Sequence, residues 1–244
     1  MCGRYAMTLP PEAARRLFGY GETPNFPPRY NIAPTQPIAV VIADLDGSRH
    51  FRLVRWGLIP GWSKDATTQS LLFNARSETA ADKPSFRAAM RHRRCLVPAD
   101  GFFEWKRQGE ARFPYYIRRR DGGPMAFAGI WETWLGADGS EIDTGAILTT
   151  AANGLMARLH DRMPVILPPE SWADWLDCAN HRPEDVRELT RPAPDDLLEA
   201  IAVSERVNAV RNDDGGLLEP LAEPVVAEPA QPVRKTRPAQ GELF

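Results

Sequence analysis

Apolar residues in this chain come in short alternating or β-branched segments separated by turn residues. That rhythm favours strands over long helices. Pro37–Ala43 and residues 50–56 are two such segments, joined through Asp46-Gly47, a good hairpin turn. Residues 95–97, 102–106, 114–118, 125–134 and 146–150 read as five more. Helices are brief: Pro10-Pro11-Glu12 opens one that Gly19 ends, since proline suits the first turn and glycine the C-terminal cap. Residues 86–94, 154–160, 171–178 and 184–190 read as further short helices. All seven tryptophans lie between Trp56 and Trp175, which places the core there. The expected class is α+β, a single domain with a curved, barrel-like, mostly antiparallel β-sheet decorated by short helices.

Composition agrees with a globular chain: 43% hydrophobic and 25% charged residues exclude wholesale disorder. No apolar run approaches a membrane span, and residues 1–20 lack the apolar core of a signal peptide, so the expected compartment is the cytoplasm. Cys2, Cys95 and Cys178 form neither a disulfide framework nor a CxxC knuckle. His50, His92 and His181 have no ligand-like spacing with them, so neither a metal nor another cofactor is expected. Five of the 23 prolines fall within residues 213–244, which read as a disordered Pro-rich tail.

Net charge is −2, but it is unevenly distributed. Residues 1–120 carry 20 Lys+Arg against 10 Asp+Glu, and residues 121–244 carry 10 against 22. Such asymmetry fits a nucleic-acid surface on the basic half; it equally fits a solvated face balanced in space by the other half.

Cys2 is the most chemically informative residue. Removal of Met1 would leave an α-amine and a thiol on adjacent carbons, with unperturbed pKa values of about 7.7–8.0 and 8.5. An aldehyde can condense with that amine to an imine, and the thiol can then close a five-membered thiazolidine. The same residue could instead serve as an N-terminal nucleophile that attacks an amide, with its own amine as the base. A non-catalytic DNA-binding scaffold is a third reading.

Eight segments narrow these alternatives. They are Met1-Cys2-Gly3-Arg4-Tyr5, Tyr30-Asn31-Ile32-Ala33-Pro34-Thr35, Trp56-Gly57-Leu58-Ile59-Pro60, Asn74-Ala75-Arg76-Ser77-Glu78-Thr79, and the run from Arg94 to Trp105 containing Phe102-Phe103-Glu104-Trp105. Phe127-Ala128-Gly129-Ile130-Trp131, Thr149-Thr150-Ala151-Ala152 and His160-Asp161-Arg162-Met163-Pro164 complete the set. In this order they resemble the SOS response-associated peptidase family of abasic-site processing proteins, over residues 2–210. The Pro-rich tail lies outside the resemblance.

The resemblance implies covalent capture of abasic sites in single-stranded DNA, through a thiazolidine between Cys2 and the ring-opened sugar. It also implies abasic-site lyase activity and a peptidase label tied to exposure of the cysteine. Cys2, Asn74, Glu104 and His160 match the active-site positions, and Arg4, Arg76 and Arg162 match phosphate contacts. The expected partner is single-stranded DNA containing abasic sites. The expected state is a monomer without a membrane, on the nucleoid when bound.

Residue chemistry supports the same roles. Glu104 sits in an apolar run where desolvation raises a carboxyl toward acid–base work, and strand alternation points it and Phe102 away from Phe103 and Trp105. His160 can shuttle a proton, and Asn74, read as a loop residue, can donate to the sugar oxygen. Trp62, beside Gly61, can stack on an unpaired base or pack in the core, and Arg87, Arg91, Arg93 and Arg94 fit a solvated helix face or an extension of the phosphate track. Trp56 and Trp131 read as core, Cys95 and Cys178 as small buried apolar residues.

Overall fold

The computed structural model describes residues 2–64 and 71–221. Thirteen strands are found among them: β1 (Tyr5–Met7), β2 (Arg29–Ile32), β3 (Pro37–Ala43), β4 (Arg49–Trp56), β5 (Asn74–Arg76), β6 (Arg94–Ala99), β7 (Gly101–Gln108), β8 (Ala111–Arg119), β9 (Met125–Leu135), β10 (Glu141–Ala151), β11 (Arg162–Pro164), β12 (Ile166–Leu167) and β13 (Leu198–Ala202). Four α-helices accompany them: α1 (Pro11–Phe18), α2 (Ser77–Ala80), α3 (Arg87–His92) and α4 (Trp172–Leu176).

Strands β10, β4, β3, β6 and β9 pair in that order, and β9 pairs back onto β10, closing a five-stranded barrel. Its pairings are antiparallel except where Thr144 and Gly145 of β10 run parallel to Arg55 and Trp56 of β4. A second sheet, ordered β13-β8-β7-β1-β2, packs on the barrel. Its inner face gives Tyr5, Phe102 and Ile117 to the main core, beside Trp56, Phe127 and Ile130. Its outer face gives Ala6, Phe103 and Tyr116 to a smaller cluster roofed by Val203, Val207 and Leu217. A sheet buried on both faces explains why β1 is apolar without alternation, Tyr5 to Met7 all being buried.

Local chemistry sets the turns. Gly19 ends α1 in the left-handed region at φ 75°, donating to the Arg15 carbonyl at 2.9 Å. Gly101 opens β7 where an added Cβ would lie 2.5 Å from the Ile117 carbonyl oxygen and the Tyr116 ring. No helix among the described residues is long and apolar enough to cross a membrane.

Several expectations change. The helices expected at 154–160 and 184–190 shrink to 3₁₀ turns, Met156–Arg158 and Arg187–Thr190. Asn74 begins a strand instead of lying in a loop, because β10 offers it a parallel partner. Residues 213–221, expected in the disordered tail, pack onto the fold: Leu217 is fully buried and Asp213 bonds to β2. Residues 222–244 of that tail lie outside the described residues. Arg94, expected among the surface cations, is 1% exposed and donates to the carbonyls of Trp175, Met90, Asp177 and His181. Trp56 is in the core, whereas Trp131 is half-buried under the guanidinium groups of Arg52 and Arg93.

Candidate active site

The site forms where the start of the chain meets the end of β10. The β1–β7 ladder continues past Tyr5 to Arg4, whose carbonyl accepts from the Phe103 N–H at 2.9 Å, so the chain toward Cys2 runs beside Glu104. Across the site, β10 carries β5 on one edge and β11 on the other: Thr149 faces Arg76 and Pro164. That pairing delivers Asn74 and Arg76 from one side and Arg162 from the other.

Cys2 is fully buried. Its thiol is held well above the ordinary value, first by desolvation and then by the neighbouring Glu104 carboxylate. Asn74 donates from Nδ2 to the Cys2 carbonyl at 2.8 Å, while its buried Oδ1 has no hydrogen-bond partner among the described residues. One of the two Nδ2 hydrogens is thus engaged with the Cys2 backbone, which leaves the second donor and Oδ1 of Asn74 for a further contact.

Glu104 is 4% exposed and its carboxyl is pushed up by burial, an effect opposed in part by His160 within electrostatic reach. The alternation read from the sequence holds, with Phe102 in the main core and Phe103 and Trp105 in the outer cluster. His160 is half-buried: Nδ1 accepts from the Arg162 backbone N–H at 3.0 Å and lies 2.8 Å from Asp161 Oδ1. A bare Nδ1 accepts the Arg162 N–H and a protonated Nδ1 donates to Asp161, so the two contacts call for opposite protonation states of the same nitrogen. Cys2, Asn74, Glu104 and His160 are thus brought together: Asn74 bonds Cys2, Glu104 acts on the Cys2 thiol, and His160 acts on Glu104.

The arginines differ. Arg76 is exposed and makes no ion pair among the described residues. Arg162 gives both Nη atoms to Glu78, at 2.6 and 2.8 Å, and Nη2 also donates to the Thr149 carbonyl at 2.6 Å. Arg4 donates from Nη1 to Asn31 Oδ1 at 2.8 Å and to the Val207 carbonyl at 2.7 Å, and its guanidinium lies 5.7 Å from the Trp105 ring centroid. Arg4, Trp105, Arg112 and Asn208 line a cavity of about 470 Å³. Trp62 is 59% exposed, its indole N–H donating to the Pro84 carbonyl at 3.3 Å, near the exposed Arg87 that opens α3.

Sequence reasoning misses Asn31 and Glu78 as parts of this site. Both lie within the motifs above, yet their partners, Arg4 and Arg162, are known only once the chain is folded.

The profile of the SOS response associated peptidase (SRAP) family matches residues 1–210. The chain belongs to that family. Its relatives include the abasic site processing protein YoqW of Bacillus subtilis, 39% identical over 90% of this chain and 99% of that one. The Escherichia coli abasic site processing protein YedK is 32% identical over 91% of this chain and all of its own. The abasic site processing protein HMCES of Xenopus tropicalis is 30% identical over 87% of this chain and 76% of its own. Among solved structures, a Bacteroides thetaiotaomicron protein superposes with a TM-score of 0.81 at 25% identity, covering 90% of this chain and all of that one. The SRAP fold in this chain is therefore the barrel and second sheet described above, and its relatives act on abasic sites.

Proposed function

We propose that this protein captures abasic sites in single-stranded DNA by forming a thiazolidine at Cys2, once Met1 is removed. The observation that carries the proposal is the convergence of Cys2, Asn74, Glu104 and His160 at one end of the barrel, with Arg76 exposed beside them.

The order of steps follows from the electrostatics. A thiol kept protonated by burial is a poor first nucleophile, so the Cys2 amine attacks the C1′ aldehyde of the opened sugar. The carbinolamine loses water to give an imine, and Glu104, whose raised carboxyl retains its proton more readily, supplies the proton to the departing hydroxyl. The thiol then adds to the imine carbon and its proton passes to the imine nitrogen, with Glu104 as the relay. Amine, thiol and aldehyde give one ring and one water. Running the last step backward restores the imine, from which β-elimination would give the lyase activity expected of the resemblance. His160 serves as the second proton carrier. Arg4, Arg76, Arg162 and Arg87 hold phosphates, and Trp62 stacks on an unpaired base for about 1–3 kcal/mol.

The test is intact mass after incubation with an abasic single-stranded oligonucleotide. The expected product equals protein without Met1, plus oligonucleotide, minus one water, and it survives heating. Cys2→Ala should abolish the heat-stable product while leaving a borohydride-trappable imine at the same terminus. A heat-stable adduct in Cys2→Ala, or a trapped adduct mapping to Lys64, Lys83, Lys106 or Lys235, would overturn the assignment. Glutamine or peptide hydrolysis without any adduct would favour the amide-attacking nucleophile instead.

A further inference from the structure

We infer that residues 204–217 form a strap that sets the pose of Arg4 and Trp105, with Asp213, Asn31 and Asn208 as its positioning residues. The inference rests on the reading of Arg4 as a strand contact. Asp213 lies past residue 210, where the family profile ends.

Strand β2 is the edge of the second sheet, and its outward N–H groups lack a neighbouring strand. Asp213 supplies the acceptors instead. Its Oδ1 accepts from Tyr30 N–H at 2.5 Å and Asn31 N–H at 3.0 Å, and its Oδ2 accepts from Arg29 Nε at 2.7 Å. Asn31, so anchored, is fully buried and spends its whole amide. Nδ2 donates to the carbonyls of Val207, Ala209 and Asn212 at 3.2, 3.2 and 2.8 Å, and Oδ1 accepts from Arg4. Arg4 Nη1 is therefore shared between Asn31 and the strap carbonyl of Val207. Asn208 holds the other partner, accepting from the Trp105 indole N–H at 2.7 Å, with Arg4 stacked over that ring. Val207 and Leu217 fix the strap to the outer face of the sheet, and Asp214 pairs with Arg206 to close it on itself.

A free arginine at this position would sample many rotamers; the strap removes that freedom before the strand arrives, which improves affinity without touching the chemistry at Cys2. The experiment measures capture rate against abasic-strand concentration for the full chain, four single variants and one double variant. Asp213→Ala should raise the half-saturating concentration about fivefold or more and leave the maximal rate within about twofold. Asp213→Asn keeps one oxygen for the Tyr30 and Asn31 N–H groups and should recover most of the loss. Arg4→Ala should weaken binding as much as the pair Arg4→Ala/Asp213→Ala, since the strap acts through Arg4. Asn208→Ala, on an exposed residue, should raise half-saturation without lowering Tm, and it decides the matter if Asp213→Ala does not fold. Wild-type half-saturation in Asp213→Ala or Asn208→Ala, with Arg4→Ala weakened, overturns the strap alone. Additive losses in the pair, or a fall confined to the maximal rate, do the same. Wild-type half-saturation in Arg4→Ala overturns both the strap and the reading beneath it.

Discussion

The bond between Asn74 Nδ2 and the Cys2 carbonyl, 2.8 Å long, ties the barrel directly to the reacting residue. Asn74→Ala deletes it and leaves the carbonyl to find water. A neutral hydrogen bond contributes about 0.5–1.5 kcal/mol net, so capture should slow by about two- to tenfold. Asn74→Asp is the sharper perturbation. It sets a carboxylate oxygen where the donor stood, facing the carbonyl oxygen at the same distance in a half-buried site. Repulsion then adds to the lost bond, and Asn74→Asp must be slower than Asn74→Ala despite keeping the shape of the original side chain. Protonation reverses the sign, because a neutral carboxylic acid at this position can donate its O–H to the carbonyl. The rate of Asn74→Asp relative to Asn74→Ala should therefore climb as pH falls through the titration of that carboxyl. The assay is single-turnover adduct formation at saturating abasic strand, read on a denaturing gel across pH. An Asn74→Asp variant as fast as Asn74→Ala near neutral pH, or a ratio flat with pH, would refute the view that Asn74 acts by holding the Cys2 backbone.

Burial raises the Glu104 carboxyl above its ordinary value, so its contribution to stability is fully present below the unfolded pKa and is lost as pH rises through the folded one. The Tm of wild type minus that of Glu104→Gln should fall as pH rises above the ordinary carboxylate range, and a rise would contradict the desolvated carboxyl. Arg94→Met should cost about 3–5 kcal/mol, because it strands four carbonyls that the buried guanidinium now satisfies; thermal melting should drop by roughly 10 °C, and a shift under about 3 °C would show those carbonyls finding other partners. Trp62→Ala should weaken single-stranded DNA binding by about 1–3 kcal/mol with no change in melting, since the side chain is 59% exposed; unchanged affinity in an anisotropy titration would remove Trp62 from the strand path.

The strands legible in the sequence are those long enough to show their period. Strands β3, β4, β6, β7, β8, β9 and β10 run 6 to 11 residues, and each contains a segment that reads as strand from pattern alone. Strands β1, β2, β5 and β11 have 3 or 4 residues, too few for a period, and exist because a neighbour supplies partners. For the site, Cys2 and Glu104 are legible only with the eight segments read together: by itself a cysteine at position 2 fits a frayed terminus, and Glu104 fits an exposed strand carboxylate. Asn31 is not, because its partners are backbone carbonyls 176 to 181 residues away, which carry no side-chain signature. Arg94 misleads for a related reason: a cation at the end of a segment that reads as helix looks like surface until the carbonyls that bury it are known.

The charge asymmetry needs the same correction. Part of the basic half is balanced by the acidic half across the fold: Arg29 pairs with Asp213, Arg52 with Asp143, Arg93 with Glu132 and Arg118 with Glu199, while Glu78 of the first half takes up Arg162 of the second. The split therefore overstates the charge open to a nucleic acid, because part of it is internal balance. What carries information is the set of cations left over. Arg76 ends β5 beside Thr149, and Lys83 and Arg87 lie one helical turn apart, next to the Pro84 carbonyl that Trp62 reaches. All three cations are exposed and make no ion pair among the described residues. A phosphate meeting Arg76, Lys83 or Arg87 breaks no ion pair among the described residues, whereas a phosphate claiming Arg162 must displace a carboxylate already bound through two nitrogens. Electrostatic affinity for the strand should therefore reside mainly on the unpaired cations Arg76, Lys83 and Arg87 and on Arg4, which pairs only with neutral acceptors, with Arg162 contributing less.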